Sequence, residues 1–361
     1  MIIVNATALR RGGALTILSQ FIQSIDGTEE YLIFIHPTVN IDVSNQAVTL
    51  EKVNKTSFFS RILWDSFGLN AYLKKRKIVA DLVISLQNTS IRTNQKCNQL
   101  IYLHNIIPFS DYKWRFFKKA DFGMLLYKYF YSFFIFLYFT DKTYFIVQSN
   151  WFKDVLVQKG ISGSKIIVAP PKAKLPSIES IALKQLQSKR YTAFYPATNF
   201  EYKNHIEIVN ALVYMKEAGE HYQDIDVYFT IQKNVSSKLY KVIQQHGLTN
   251  NFHFLGALSF DQVLSYYKSV DLIIFPSRLE TFGLPLIEAA MFGKPVVAID
   301  LPYSNEVLKN YDNVMFCKAK DSRDWSAKIQ FMLKNHNPNP YFNFENGWKK
   351  VQNIIKELMK K

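Results

Sequence analysis

FPSRLETFGLPLIEAAMFGKPVV, the stretch from Phe275 to Val297, decides the fold because it contains a strand end, a glycine turn and a helix start in succession. The apolar run from Leu272 to Phe275 predicts a buried strand, and the residues after the turn predict a helix that begins at Pro285. Proline suits a first helical position because the N–H that it lacks would have no partner there. We therefore predict a strand–loop–helix unit of a parallel α/β sheet.

Two carboxylates, Glu280 and Glu288, lie in this unit where such sheets bind ligands. We expect Glu280 in the loop and Glu288 in the first turn of the helix. Ligands of open α/β sheets lie beyond the carboxyl ends of the strands, and the free N–H groups of a helix start favour negative charge. The acids are acceptors suited to paired sugar hydroxyls, and the amides suit a diphosphate. Alternatively, both acids only stabilise the helix dipole.

The same alternation of apolar runs and helical segments extends through the chain and predicts two α/β domains. A proline-containing segment, 168–180, interrupts the alternation as an interdomain linker does. We predict an N-terminal domain over 1–170, a C-terminal domain over 171–336 and a C-terminal helix over 337–361 whose apolar stripe packs back on the first domain. The predicted strands are Ile2–Asn5, Tyr31–Ile35, Ala47–Leu50, Leu82–Ser85, Leu100–Leu103, Tyr144–Gln148, Ala193–Pro196, Val227–Ile231, Phe252–Phe254, Leu272–Phe275 and Pro295–Ile299.

The composition is that of a globular, strongly basic chain. Its 361 residues suffice for two domains, and 48% of them are hydrophobic. A formal net charge of +15 indicates a polyanionic partner: nucleic acid, an anionic membrane face or a phosphorylated small molecule. Cys97 and Cys317 fit neither a disulfide framework nor a zinc site, and the sequence begins without a secretion signal. We therefore expect a cytoplasmic protein.

An aromatic segment raises the question of membrane contact. GMLLYKYFYSFFIFLYF, Gly123 to Phe139, is interrupted by Lys128 and follows YKWRFFKKADF, which mixes cations with aromatic rings. One interpretation is a buried helix between two strands, and another is a helix at the membrane interface. A membrane span would be at the short limit of length.

The opening stretch resembles the E-x7-E segment of the retaining family 4 glycosyltransferases. That resemblance implies the GT-B fold, in which two Rossmann-like, doubly wound domains face a central cleft. It implies that Glu280 is catalytic and contacts the hydroxyls of the donor sugar, and that Glu288 holds the nucleotide ribose. It also implies that the amides of Phe282, Gly283 and Leu284 line the donor site.

Two further segments of the C-terminal half carry the resemblance. YPATNFEYKNHIEIVNAL is similar to the family segment that supplies an arginine and a lysine to the donor diphosphate, which assigns Lys203 to that role. Thr198 stands at the position of the family arginine and is assigned to the donor site. Since threonine carries no positive charge, another residue must supply the charge of that arginine, and the candidates are Arg10, Arg11 and Arg278. NFHFLGALSFDQVLSYYKSVDLIIFPS resembles the segment beside the nucleobase, which assigns Gly256 and Leu258 to the donor site.

The N-terminal half resembles the same family in shorter motifs. ALRRGGAL is similar to its glycine loop near the donor phosphates, which implies that Gly12 and Gly13 bind the donor. IYLHNIIPF resembles its histidine segment, which implies that His104 contacts the donor sugar or organises the transition state. A structural role for a lone histidine is the alternative.

The implied reaction is transfer of a hexose-type sugar from a nucleotide-sugar to a saccharide acceptor, with same-face attack and retained configuration. Fixed positive charge must stabilise the departing diphosphate, and Lys203 and the helix start provide it. Asp224 and Asp226 form a D-x-D pattern, but they precede a strand in a domain that uses helix and lysine charge. We expect neither a metal ion nor a cofactor.

The basic and aromatic residues around Trp114 to Lys119 form a predicted acceptor patch, which suggests that the acceptor is an oligosaccharide carried on a membrane lipid. We assign Trp114, Arg115, Lys118 and Lys119 to acceptor or membrane contact, which suggests polysaccharide assembly at the cytoplasmic face of the inner membrane. One rival is a sugar-nucleotide epimerase or hydrolase on the same fold. A rival of another class is a basic nucleic-acid-binding protein; we predict no nucleic-acid partner.

Overall fold

The computed structural model describes residues 1–93, 97–114, 119–173, 176–186, 191–234, 236–338 and 340–360, and for 119–121 it describes only the backbone. The chain divides into two compact units. Unit 1 comprises Met1–Lys172 together with Glu345–Lys361, and unit 2 comprises Ala173–Phe344. Residues Arg115 and Lys118 of the predicted acceptor patch lie outside the described residues.

The strands are short and mostly buried on both faces, as parallel strands covered by helices are. In unit 1 they are β1 (Ile2–Asn5), β2 (Tyr31–Ile35), β3 (Val48–Lys52), β4 (Leu82–Ser85), β5 (Asn98–Tyr102), β6 (Thr143–Val147) and β7 (Ile166–Val168). In unit 2 they are β8 (Tyr191–Tyr195), β9 (Ile225–Phe229), β10 (Phe252–Phe254), β11 (Leu272–Phe275), β12 (Val296–Ile299) and β13 (Val314–Cys317).

The helices alternate with these strands along the chain. They are α1 (Gly12–Ser24), α2 (Phe58–Leu63), α3 (Leu69–Arg76), α4 (Lys119–Phe136), α5 (Asn150–Gln158), α6 (His205–Glu217), α7 (Ser237–Gln245), α8 (Phe260–Ser269), α9 (Leu284–Met291), α10 (Pro302–Val307), α11 (Ser322–Lys334) and α12 (Trp348–Met359). A π-helical turn, Trp64–Gly68, joins α2 to α3. No helix in the described ranges has the length and apolar character needed to cross a membrane.

Both sheets are parallel and doubly wound. The strand order is β3-β2-β1-β4-β5-β6-β7 in unit 1 and β10-β9-β8-β11-β12-β13 in unit 2. The direction of winding reverses between β1 and β4 in the first sheet and between β8 and β11 in the second. Each reversal creates a switch point, where loops leave the carboxyl ends of neighbouring strands in opposite directions and open a crevice. The fold class predicted from the sequence is confirmed.

The C-terminal helix α12 packs into unit 1, as predicted. Trp348 and Ile355 are buried in the same core as Phe21 of α1, and the Trp348 indole N–H donates to Gln20 at 2.7 Å. Just before α12, the Gly347 N–H donates to the Pro170 carbonyl at 2.7 Å. A Cβ at Gly347 would lie 2.4 Å from the Cα of Ala169, so this close approach of two backbones requires glycine.

Some elements differ from the sequence prediction. β7 and β13, each at one end of its sheet, were not predicted, and the bounds of β3, β5, β6, β8, β9 and β12 differ from the predicted ones by one or two residues. The predicted first helical residue was also wrong by one position, since α9 begins at Leu284, with Gly283 as its N-cap. Glu288 therefore lies in the second turn of α9 rather than in the first.

Candidate active site

The switch point of unit 2 lies between β8 and β11. These strands pair directly, with Ala193 opposite Leu272 and Phe194 opposite Ile273. The loop after β8 runs from 196 to 204 and the loop after β11 from 276 to 283, so both leave the same edge of the sheet side by side. This adjacency brings together residues that are far apart in the sequence.

Lys203 and Glu280 form an ion pair at this edge. The Lys203 Nζ lies 2.5 Å from Glu280 Oε1, and the two side chains are only 17% and 15% exposed. Backbone hydrogen bonds fix the loops that carry them: the Arg278 N–H donates to the Tyr202 carbonyl at 2.8 Å, and the Tyr195 hydroxyl donates to the Lys203 carbonyl at 2.6 Å. The pair is therefore a rigid, largely desolvated feature rather than a surface contact.

Three tyrosines lie near the Glu280 carboxylate. Burial raises the pKa of Tyr202 to about 12, and the Glu280 charge adds to the effect. Burial and the same charge also raise the pKa of Tyr195 and of Tyr303 well above their usual value. The Tyr303 hydroxyl donates to the Ser277 carbonyl at 2.6 Å. These hydroxyls stay protonated at neutral pH, and they tie down the backbone on both sides of Glu280.

The turn before α9 presents backbone amides. Gly283 has φ +87° and is the N-cap of α9, and because it has no side chain the helix start has no side-chain cap. A Cβ at Gly283 would contact the rings and methyls of Tyr303 and Leu286 at 3.4 Å. Phe282 is buried and packs near Phe344, while Leu284 is half-buried. The three residues predicted to line the donor site thus form the loop and first turn at a helix N-terminus, which attracts anions.

Glu288 lies on the same helix as these amides. Burial raises the pKa of its carboxyl to about 7, against the smaller opposing effect of a hydrogen bond with Tyr267. The Tyr267 hydroxyl itself donates to the Pro285 carbonyl at 3.1 Å. Glu280 and Glu288 therefore differ in environment: a lysine accompanies the first, whereas burial dominates the second.

Arg278, one of the candidates to replace the missing arginine at position 198, is engaged elsewhere. Its Nη2 lies 3.4 Å from Glu207, which is 3% exposed and also accepts from Asn204 at 3.0 Å. Thr198 itself is exposed in the loop after β8. The other candidates, Arg10 and Arg11, belong to unit 1, where Arg10 donates to the Thr56 carbonyl at 3.0 Å.

Gly256 and Leu258 follow β10, the outer strand of the sheet and two strands from β8, so about 10 Å separates the strands themselves. Gly256 has φ +74°, and its N–H donates to the Ile231 carbonyl at 3.1 Å. Gly256 lines a groove of about 720 Å³ together with Tyr240, Lys233 and Lys241, while Leu258 is half-buried beyond it. The groove offers an aromatic ring and two cations.

The N-terminal residues predicted for the site lie in unit 1. Gly12 and Gly13 are exposed at the start of α1, and Gly12 has φ +61°. His104 follows β5; its Nε2 lies 3.1 Å from the Leu86 carbonyl oxygen, which can only accept, and 3.2 Å from Asn88 Nδ2, which can only donate. Burial lowers the pKa of His104. The imidazole is therefore neutral at neutral pH.

The sequence prediction missed a buried polar cluster at the switch point of unit 1. The Asp65 carboxylate, 4% exposed, accepts from Asn5 at 2.7 Å, from Gln87 at 2.9 Å and from Thr89 at 2.8 Å. Gln87 donates to Asp65 through its amide nitrogen, and its side-chain oxygen accepts from the Ala8 N–H at 3.0 Å. Burial raises the pKa of Asp65 to about 7, and these donors oppose the rise. The cluster ties the loop after β1 to the loop after β4.

One signal in the sequence could have identified Asp65. It interrupts the otherwise apolar sequence ILWDSFGL, and an acid in such a run requires a buried partner. Its partners could not be read, because they lie on two strands that become neighbours only through the strand order.

The D-x-D pattern has a different setting. Asp226 is buried in β9 and lies 2.9 Å from His253 Nε2, while Asp224 lies in the 3₁₀ turn before the strand. Among the described residues, no group of three or more His, Cys, Asp or Glu side chains could hold a metal ion.

The predicted acceptor patch is only partly described. The Trp114 ring is half-buried and packs 4.6 Å from the Tyr112 ring. Lys119 is the first residue of α4, and the placement of its side chain is not described. Among the side chains of this region that the structure describes, the exposed aromatic ones lie further along α4.

With this geometry established, the sequence can be compared with known proteins. The family model described as glycosyl transferases group 1 matches residues 178–350. The match covers slightly less than half of the chain. The matched segment includes Lys203, Gly256, Glu280 and Glu288, and hence the switch point of unit 2.

Individual proteins support the assignment of family and fold. An O-antigen chain mannosyltransferase of Salmonella typhimurium is 31% identical over 83 residues, which cover 23% of this chain and 23% of the relative. A glycosyltransferase of Rickettsia africae has a solved structure that matches with a TM-score of 0.65 and 18% identity, covering 99% of this chain and 98% of that one. An Anabaena protein solved in complex with UDP and glucose matches with a TM-score of 0.60 and 15% identity, covering 92% and 90%.

The extent of these matches differs. The chain spans about a third or less of the length of the curated relatives that it matches first, whereas the structural likeness extends over almost the whole chain. The fold is that of the GT-B glycosyltransferases.

Proposed function

We propose that the protein transfers a hexose-type sugar from a nucleotide-sugar donor to a saccharide acceptor and retains the configuration at the anomeric carbon. The observation that carries this proposal is the Lys203–Glu280 pair at the switch point of unit 2. Glu280 lies in the loop that leads into the start of α9, which has no side-chain cap, and both residues lie within the segment that matches the glycosyltransferase family model.

The proposed donor site combines positive charge for phosphate with acceptors for hydroxyls. Lys203 and the first amides of α9 stabilise the diphosphate as it leaves with negative charge. The Glu280 carboxylate accepts hydrogen bonds from the sugar hydroxyls, and Glu288 holds the ribose hydroxyls. Donor binding must loosen the Lys203–Glu280 contact. Lys203 then contacts the diphosphate in place of Glu280, and Glu280 contacts the sugar hydroxyls in place of Lys203.

The proposed step breaks the bond between the anomeric carbon and the diphosphate oxygen and forms a bond to the acceptor hydroxyl on the same face. The proton of the acceptor hydroxyl passes to the departing phosphate oxygen, so the step needs no further reactant. The cation Lys203 and the α9 dipole supply the charge compensation, and we propose that no metal ion takes part. His104, which is neutral at neutral pH, is proposed to contact the donor sugar, the role that its resemblance to the family histidine implies.

The acceptor is proposed to be a saccharide, carried on a lipid in O-antigen, capsule or exopolysaccharide assembly. The Salmonella relative is an O-antigen chain mannosyltransferase, which supports this class of acceptor. The net charge of +15 and the exposed aromatic residues of α4 support a peripheral location at the cytoplasmic face of the inner membrane.

A transfer assay separates this proposal from its rivals. The purified protein is supplied with radiolabelled UDP-, GDP- or dTDP-sugars, with and without an extract of lipid-linked saccharides. We expect label to enter the lipid fraction only when the extract is present. Consumption of a donor at the same rate without an acceptor would instead support an epimerase or hydrolase. Salt-sensitive binding of an oligonucleotide that survives Glu280→Gln, with no donor consumed, would support a nucleic-acid-binding protein.

A further inference from the structure

The helix α4 carries an apolar face that is open to solvent. Its members recur at helical spacing and are exposed by 36% to 67%, whereas Leu125, Tyr131 and Ile135 on the opposite side are buried. We call them the aromatic face: Phe122, Leu126, Tyr129, Phe130, Phe133 and Leu137, the last just beyond the end of α4. A soluble helix normally places polar side chains on such an outer face.

A second exposed ridge lies alongside the aromatic face. It consists of Phe59, Leu63 and Phe67, which are exposed by 77%, 61% and 57% on α2 and the π-helical turn. Ring contacts connect the two: Phe58 lies 6.0 Å from Phe59 and 5.4 Å from Phe134, which lies 5.3 Å from Phe133. The two ridges thus form one apolar surface of unit 1, larger than the scattered exposed residues of an ordinary soluble protein.

Cations accompany the rings of this surface. The Arg92 guanidinium lies 5.3 Å from the Phe67 ring, and the Lys128 Nζ lies 5.9 Å from the Tyr129 ring. Beside the aromatic face, a groove of about 750 Å³ is lined by Lys128, Lys159, Asp111 and Ser132 as well as by Phe133 of the face itself. Lys128 donates to the Tyr112 carbonyl at 3.1 Å, which leaves two of its three N–H groups for another acceptor.

We propose that this surface docks on a lipid bilayer whose headgroups are anionic. The rings and leucines enter the boundary between headgroups and acyl chains, where aromatic side chains are favoured. Arg92, Lys128 and Lys159 contact the lipid phosphates at that level. The inference deepens the peripheral location in the proposed function, since it names the surface that makes the contact.

Two features favour a bilayer over a second copy of the chain. A net charge of +15 on each copy opposes self-association but attracts an anionic membrane. Protein interfaces are also depleted of lysine relative to the rest of the surface, whereas Lys128 borders the aromatic face, with its Nζ 5.9 Å from the Tyr129 ring.

The test is vesicle binding by the full chain. Vesicles of phosphatidylcholine alone and of phosphatidylcholine with phosphatidylglycerol are sedimented with the wild type and with the double variant Phe130→Ser, Phe133→Ser. The control is Phe331→Ser, Tyr341→Ser, which removes two exposed rings from unit 2. We expect the wild type and the control to bind the anionic vesicles, and the test variant to bind them about tenfold or more weakly. All three should melt at similar temperatures, because the replaced rings are exposed.

Three results would overturn the proposal. The first is that the wild type does not bind anionic vesicles, and the second is that the test variant binds them as well as the wild type does. The third is that the wild type and the control form a dimer whereas the test variant is a monomer. Binding of the donor nucleotide-sugar is measured in parallel without vesicles. If the wild type binds a donor but no vesicles, the docking proposal is rejected and the transferase proposal is not. If the wild type binds vesicles but no donor, the transferase proposal is rejected and the docking proposal is not.

Discussion

Lys203 and Glu280 are 77 positions apart in the sequence, yet their charged groups meet at 2.5 Å where the carboxyl ends of β8 and β11 lie side by side. Neither side chain has much access to water, so each neutralises a charge that would otherwise be costly to bury. The same two groups have the chemistry that a nucleotide-sugar requires, a cation for phosphate and an acceptor for hydroxyls. In the proposed function, the phosphate and hydroxyl groups of the donor replace this contact.

The first prediction concerns the stability of this pair. Lys203→Met leaves Glu280 without its cation and Glu280→Gln leaves Lys203 without its anion, so each should lower the free energy of unfolding by about 1–3 kcal/mol. The double variant should lose less than the sum of the two, because it buries no lone charge. Urea unfolding of the four proteins measures the coupling. Strictly additive losses would show that the two groups do not interact in solution.

The second prediction concerns the pH dependence of stability. Burial raises the pKa of Glu288 to about 7 from its usual value of 4.5, so the folded protein binds a proton more tightly than the unfolded chain. This contribution to stability is fully present below about pH 4.5 and is lost as the pH rises through about 7. The variant Glu288→Gln lacks this pH-dependent contribution, because glutamine does not titrate. The free energy of unfolding of the variant relative to the wild type should therefore rise by about 3 kcal/mol between pH 4.5 and pH 8.

Chemical unfolding of both proteins across this pH range gives the difference directly. Glu357→Gln, a replacement of an exposed acid on α12, is the control and should show a constant difference from the wild type. A constant difference for Glu288→Gln as well would show that Glu288 titrates like an ordinary surface acid.

The third prediction concerns the Asp65 cluster. Asp65→Ala leaves the donors of Asn5, Gln87 and Thr89 buried without their acceptor, which should cost about 3 kcal/mol or more. Asp65→Asn keeps one acceptor oxygen and should cost less. Asp81→Ala removes an exposed acid that pairs with the N-terminus and serves as control, with a loss of about 1 kcal/mol or less. Equal losses for Asp65→Ala and Asp81→Ala would contradict the assignment of a structural role to the cluster.

The fourth prediction concerns the return of the chain to unit 1. Gly347→Ala places a methyl group 2.4 Å from the Ala169 Cα, so α12 must shift or the contact with residues 169–170 must open. We expect the melting temperature to fall by several degrees, equivalent to about 2 kcal/mol. Gly123→Ala in α4 is the control: no described atom lies within 4 Å of its new methyl group, and alanine favours a helix. A Gly347→Ala protein as stable as the wild type would show that the two segments are not in close contact.

The sequence was informative where a pattern is local. The strands Ile2–Asn5, Tyr31–Ile35 and Leu272–Phe275 have the predicted bounds, since each is a continuous apolar run bounded by polar or turn residues. The turn at Phe282 and Gly283 was likewise placed correctly before a helix, because glycine and proline mark that boundary. The single-residue error at the start of α9 reflects how little the sequence distinguishes the first two helical positions for proline.

Features that depend on strand order could not be predicted in this way. Lys203 and Glu280 can form an ion pair only because β8 lies beside β11. Asp65 can accept hydrogen bonds from both Asn5 and Gln87 only because β1 lies beside β4. The π-helical turn at Trp64–Gly68 follows from packing rather than propensity, since its tryptophan fills the core against Phe34 at 5.4 Å. The aromatic composition of α4 was visible in the sequence, but which side of the helix faces water was not.

The most direct test of the account is donor binding by matched variants. Thermal shift and calorimetric titration with UDP-, GDP- and dTDP-sugars are compared for the wild type, Lys203→Met and Lys328→Met. Lys328 is the matched control, because in the wild type it forms a similarly exposed ion pair with Asp324 in unit 2, away from the switch point. We predict that at least one nucleotide-sugar stabilises the wild type and Lys328→Met, while Lys203→Met binds it at least about tenfold more weakly. A wild type that binds none of them, or equal binding by all three proteins, would contradict the account.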